Sequence, residues 1–134
     1  MNRQLLDRES FKTQVFARSQ GKCVFCGQPA IDAHHILDRK LWPDGGYYLD
    51  NGAAVCEKCH WACEKTHYSV EEVRSKAGIK KVVLPPGLSK HIVYDKWGNE
   101  ILSLMVRKPG PLFQDDGVQK ILMQAGLLHL FMET

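Results

Sequence analysis

Cys23-Val24-Phe25-Cys26, then Asp32-Ala33-His34-His35-Ile36, then Asp50-Asn51, then Cys56-Glu57-Lys58-Cys59-His60: these stretches decide how the chain is read. A CxxC turn points two thiolates the same way, and zinc takes four such ligands in a tetrahedron with sulfur at about 2.3 Å. Cys23, Cys26, Cys56 and Cys59 are therefore expected to close one zinc site. Four thiolates leave no open position, so its role is structural. Between the pairs lies the doublet His34-His35, and His60 follows the last cysteine directly. If residues 31–37 form a strand, His34 and His35 point to opposite faces and have different tasks. A helix over 57–65, opened by the second cysteine turn, carries His60 in its first turn and can aim it at one of the two.

The rest of the chain fits a small domain. Its 134 residues, 44% hydrophobic and 25% charged, are ordinary for a globular protein. No apolar run approaches the ~20 residues that span a bilayer, and charges pepper residues 1–18 where a signal peptide would be apolar. We therefore expect a cytoplasmic protein, of a bacterial or phage-infected cell, with no membrane partner. Five cysteines in such a compartment point to metal rather than disulfides. Cys63 is left over, either a substitute ligand or a small core or surface thiol. The net charge of +3 says little. Residues 74–108, however, carry Arg74, Lys76, Lys80, Lys81, Lys90, Lys96, Arg107 and Lys108 against only Asp95 and Glu100. This stretch reads as a phosphate-binding face or simply as a solvated surface.

Local patterns set the expected elements. Ser10 is a candidate N-cap for a helix over 10–19, with Phe11, Val15 and Phe16 as its apolar stripe and Gly21 as its stop. Residues 53–55 can form a second short strand after the loop over 38–52. Ser69 and Glu72 form a capping box for a helix that ends at Gly78. Beyond Pro85-Pro86-Gly87, residues 92–94 and 101–106 can pair as a hairpin around 96–99. Residues 115–131 read as one amphipathic helix. The division expected is a core over 1–78 and a basic C-terminal extension over 79–134, small enough to pack on the core.

Taken in order, the paired cysteines, histidine doublet, asparagine and final histidine resemble the zinc-containing HNH nucleases, over roughly residues 11–66. The resemblance implies an α+β, ββα-metal (treble-clef-like) core with a structural four-cysteine zinc, flanking helices and a small C-terminal hairpin-plus-helix appendage. Carried over, it makes His34 and His60 ligands of a catalytic divalent ion, Mg2+ or Mn2+ or another. It makes His35 the general base that activates water, and Asn51 the residue that ties down the loop and helps orient that base. Where some relatives place another histidine, this chain has Glu64, one helical turn after His60, able to ligate directly or through water. His67 is the weaker candidate, too far along for one ion unless the helix ends first. Arg39, Lys40, Lys58 and Lys65 lie near the motif and are candidate nucleic-acid contacts.

The implied activity is metal-dependent hydrolysis of phosphodiester bonds, most naturally in DNA, by nicking or cutting. The alternatives are a noncatalytic zinc-dependent nucleic-acid-binding module, or an adaptor. In the latter, the C-terminal helix docks on a protein partner or a second copy, as in a homodimer, although burial in its own core is simpler. Trp42, Tyr47 and Tyr48 pack the long loop or stack on bases, with packing favoured for at least two. His91 and His129 fall outside the motif and are read as structural.

Overall fold

The computed structural model describes residues 4–131, so residues 1–3 and 132–134, the outer ends of the two expected divisions, lie outside the described residues. The fold is α+β. The described residues form four α-helices and two small antiparallel sheets, each of two strands.

Helix α1 runs Arg8–Arg18, starting earlier than expected because Asp7 rather than Ser10 is its cap. The Asp7 carboxylate accepts from the Ser10 N–H at 2.7 Å, so Ser10 supplies a donor instead of an oxygen. Phe11 and Val15 are its buried face. They press on the strand pair where β1 (Asp32–His35) and β2 (Gly52–Val55) meet. A Cβ on Gly52 would stand 2.5 Å from Val15 Cγ2 and 2.7 Å from Phe11 Cζ, so only glycine fits there.

The β1–β2 register pairs Asp32 with Val55 and His35 with Gly52. β1 is shorter than the expected 31–37, because Leu37 turns away and bonds to the Asn51 side chain instead of to a strand. The alternation holds. Asp32 and His34 face the next helix, and His35 faces Phe11. That helix, α2 (Glu57–Glu64), begins with Cys56 at its cap. α3 (Val70–Ala77) has the reciprocal Ser69–Glu72 capping box and ends at Gly78 with φ of 74°.

The C-terminal part departs from the sequence reading twice. Residues 92–94 and 101–106 pair only next to the 95–99 turn, where the Ile101 N–H donates to the Val93 carbonyl at 2.8 Å. The Asp95 carboxylate accepts from the N–H groups of Trp97 and Asn99, at 2.9 and 3.0 Å, and folds the chain into a tight turn. Tyr94 and Glu100 then make a single bridge. The hairpin proper is β3 (Glu100–Ser103) with β4 (Val106–Lys108), turning at Leu104-Met105. Nor is 115–131 one helix. α4 spans Asp116–Gln124, and Gly126 at φ 72° closes it, sending Leu128–Phe131 back as a 3-10 turn. Leu130 and Phe131 thereby pack with Val118, Leu122 and Trp97.

The largest apolar cluster joins Ile36, Leu37, Trp42 and Cys63 to Val83 and Tyr94, residues on both sides of Gly78. Trp42 and Tyr48 are buried in it, so they pack the loop.

Candidate metal centres and cleft

The four cysteines converge. Their sulfurs all lie within 4.8 Å of one another, and Cys26 Sγ is 3.6 Å from Cys56 Sγ. A tetrahedron with sulfur about 2.3 Å from its centre has edges of about 3.8 Å, whereas a disulfide needs about 2.05 Å. The spacing suits a metal ion such as zinc. The first turn is set by Gly27, at φ 78°, whose N–H donates to the Cys23 carbonyl at 2.9 Å. The second is the start of α2. Burial works against the Cys23 thiolate, but hydrogen bonds from the Cys56, Cys26 and Phe25 main chains outweigh it and bring its pKa down to about 7. Cys63 stands apart in the apolar cluster, and burial pushes its thiol up to about 12. It is a core residue.

A second group forms between β1 and α2. Donor atoms of His34, His60 and Glu64 also lie within 4.8 Å of one another. Glu64 Oε2 is 3.5 Å from His34 Nδ1 and 3.6 Å from His60 Nε2. His34 is 1% exposed, and its Nδ1 has no hydrogen-bond partner. Burial, with the nearby charges of Lys96 and His60, holds His34 well below the usual histidine range, so its imidazole is neutral. His60 moves the opposite way. Its contact with Glu64 outweighs burial and raises its pKa, with Asp32 Oδ2 adding a 3.0 Å bond at Nδ1. That second bond fixes the ring and leaves Nε2 toward Glu64. Burial would raise Glu64, but the His60 bond and the Lys96 charge prevail and keep it ionised. Two imidazoles and a carboxylate are a donor set that fits a divalent ion. An orphaned, buried Nδ1 among them is the observation that best fits such an ion.

His35 turns to the other side. Its ring stacks on Phe11 at 4.8 Å and meets Tyr47 edge-on, also at 4.8 Å. Its Nε2 is shielded and unpartnered. Burial first, then Lys96 and Arg39, lower its pKa to about 4, while Asp38 and the Gly45 main chain pull upward. It is therefore a neutral imidazole whose enclosed Nε2 has no hydrogen-bond partner. His34, His35 and His60 all line one open cleft of about 790 Å³, together with Arg8, Lys12 and Arg39.

Asn51 is the clamp under this cleft. It is 1% exposed. Its Oδ1 accepts from Leu37 N at 3.0 Å, and its Nδ2 donates to the carbonyls of Leu37 and Gly46, both at 3.1 Å. The loop over 37–46 is thus held just after the histidine doublet. Asn51→Ala leaves these buried groups unpaired and should cost about 2–4 kcal/mol in urea unfolding. Asn51→Asp, which turns an acceptor on two carbonyls, should be no better. A cost under about 0.5 kcal/mol would contradict the clamp.

The basic residues expected to contact nucleic acid divide by location. Arg39 is exposed and lines the cleft. Lys40 lies beside it, its ammonium paired with Asp115 at 3.0 Å. Lys58 and Lys65 line a separate groove with Trp61 and His67 on the outer side of α2. His67 is exposed and outside the histidine–carboxylate group. Arg8 and Lys12 carry no motif signal, and only the packing of α1 brings them to the cleft. Lys96 is the site residue that the sequence hides most completely. It sits in the 95–99 turn, buried, with its ammonium 3.3 Å from Glu64 Oε2. A lone lysine in a turn reads as solvated surface, so nothing in the sequence singles it out.

Comparison of the chain with protein-family models, with curated proteins and with solved structures finds no match. No helix among the described residues is long and apolar enough to cross a membrane.

Proposed function

We propose that the chain is a metal-dependent endonuclease of the HNH type, hydrolysing phosphodiester bonds in DNA, with a ββα-metal core braced by a structural zinc on Cys23, Cys26, Cys56 and Cys59. One observation carries the reading. Adjacent histidines on one strand face opposite ways, His34 into a group with His60 and Glu64, while His35 lines the same cleft with an enclosed Nε2 that has no partner.

His34, His60 and Glu64 would hold a divalent ion. Bound there, such an ion supplies Lewis-acid stabilisation of the scissile phosphate and the leaving oxygen. His35 accepts a proton from the attacking water through Nε2. For this, the substrate-filled cleft has to bring a water within about 2.6–3.2 Å of that nitrogen. Burial is the main cause of the lowered His35 pKa, and an incoming phosphate opposes only the smaller contribution of Lys96 and Arg39. Asp32 fixes the His60 ring, and Asn51 fixes the loop that follows His35. Arg8, Lys12 and Arg39 offer positive charge for flanking phosphates.

Supercoiled plasmid incubated with the purified protein should be nicked in Mg2+ or Mn2+ and left intact in a chelator. Cleavage of single-stranded DNA, duplex DNA and RNA in parallel identifies the substrate form. Binding without cleavage under every divalent ion would instead favour a noncatalytic nucleic-acid-binding module.

A further inference from the structure

Residues 94–99 are all buried, a rare state for the sequence Tyr-Asp-Lys-Trp-Gly-Asn. The turn is a polar device set against the histidine–carboxylate group. Asp95 is fully buried and anchors it. Its carboxylate takes the Trp97 and Asn99 N–H groups, the Asn99 side-chain amide at 3.1 Å and Arg107 Nη1 at 3.0 Å. Arg107 also reaches Thr66 Oγ1 at 2.7 Å, just beyond α2.

From this base two side chains grip Glu64. Trp97 Nε1 donates to the Glu64 carbonyl at 3.1 Å, and Lys96 Nζ lies 3.3 Å from its carboxylate. Lys96 Nζ also donates to the His35 carbonyl at 3.1 Å and pairs with Asp38 Oδ1 at 3.3 Å. Of the ammonium's three hydrogens, one bonds the His35 carbonyl, and the charge is shared between two carboxylates at 3.3 Å. The lysine ties together the end of β1, the loop behind it and the end of α2, which are the parts that must stay in register for His34 and Glu64 to meet.

We infer that Lys96 is a positioning residue which holds the Glu64 carboxylate toward His34 and His60, with Trp97 holding the Glu64 main chain, so that the C-terminal segment completes the metal group. The inference rests on the reading of His34, His60 and Glu64 as a divalent-ion site. Partners that orient ligands in this way commonly matter by about 10–100-fold in metal affinity. Charge alone gives the opposite sign, because removing an ammonium beside a divalent cation should tighten binding.

Calorimetric titration of Mn2+ into protein that retains its cysteine-bound zinc separates the two. Wild type should bind one Mn2+ that His34→Ala abolishes. If it does not, the reading of the site fails. Given that binding, Lys96→Met should weaken it at least tenfold at unchanged zinc content, with partial recovery in Lys96→Arg. Equal or tighter Mn2+ binding by Lys96→Met overturns the inference while leaving the site intact. Should Lys96→Met not fold, Trp97→Phe keeps an aromatic ring in the cluster and removes the bond to the Glu64 main chain. It should weaken Mn2+ binding about threefold or more, and an unchanged affinity overturns the inference equally.

Discussion

Substituting alanine for His35 should lower the cleavage rate by about 10²–10⁴-fold, the usual contribution of a positioned general base, and leave Mn2+ binding intact. The two effects separate because β1 alternates. His34 faces Glu64 and His60, whereas His35 faces Phe11 and Tyr47. His34→Ala should give the converse result, losing the ion and the activity together. The expected loss lies in kcat rather than KM, since His35 is asked to act on water and not to hold the substrate. His35 also packs on two aromatic rings, so zinc content and the unfolding transition must be compared with wild type. A folded His35→Ala protein that cleaves at the wild-type rate would sink the mechanism, for no other group on that side of β1 is proposed as base.

The second large effect concerns the cysteines. With zinc on the four cysteines as proposed, removing it with a strong chelator, or replacing Cys56 with serine, should unfold the region between α1 and α3. Structural zinc contributes an apparent ~10–16 kcal/mol in small zinc-dependent folds, comparable to the whole ~5–15 kcal/mol stability of a typical domain. The local reason is plain. The first cysteine turn is held by the Val24 N–H on the Ala54 carbonyl at 3.0 Å and by Phe25 stacked on Tyr68 at 4.3 Å, and Cys56 starts α2, so an ion on the four sulfurs would add the strongest tie between the two turns. Loss of far-UV helical signal in step with zinc release, followed by a chromophoric chelator, is the expected outcome. Cys63→Ser, outside the group, should keep its full zinc content. A metal-free protein with an unchanged melting curve would contradict the assignment.

Much of this site is written locally. Cysteine spacing, a capping box closed by Glu72 and a glycine at the end of α3 are short-range signals, and the structure realises them as read. The pairing of Glu64 with His60 follows from one helical turn. The N-cap of α1 differs from the sequence reading because Asp7 and Ser10 are both competent caps, and local chemistry does not rank them. The C-terminal half differs for a related reason. A buried aspartate that accepts from its own turn, and a glycine that reverses a helix end, look like ordinary polar and apolar residues until their neighbours are known.

The sequence by itself determined which residues could hold metal and which face of β1 each histidine occupies, because chain spacing and strand alternation are geometric facts of the backbone. Tertiary structure decided what completes the group. Arg8 and Lys12 reach the cleft only when α1 packs through Phe11 and Val15 on Gly52. Lys96 reaches Glu64 across a separation of many residues only when the Asp95 turn is buried against α2. Charge and pKa at the site follow from those long-range contacts, since desolvation and Coulomb forces depend on distance in space and not along the chain.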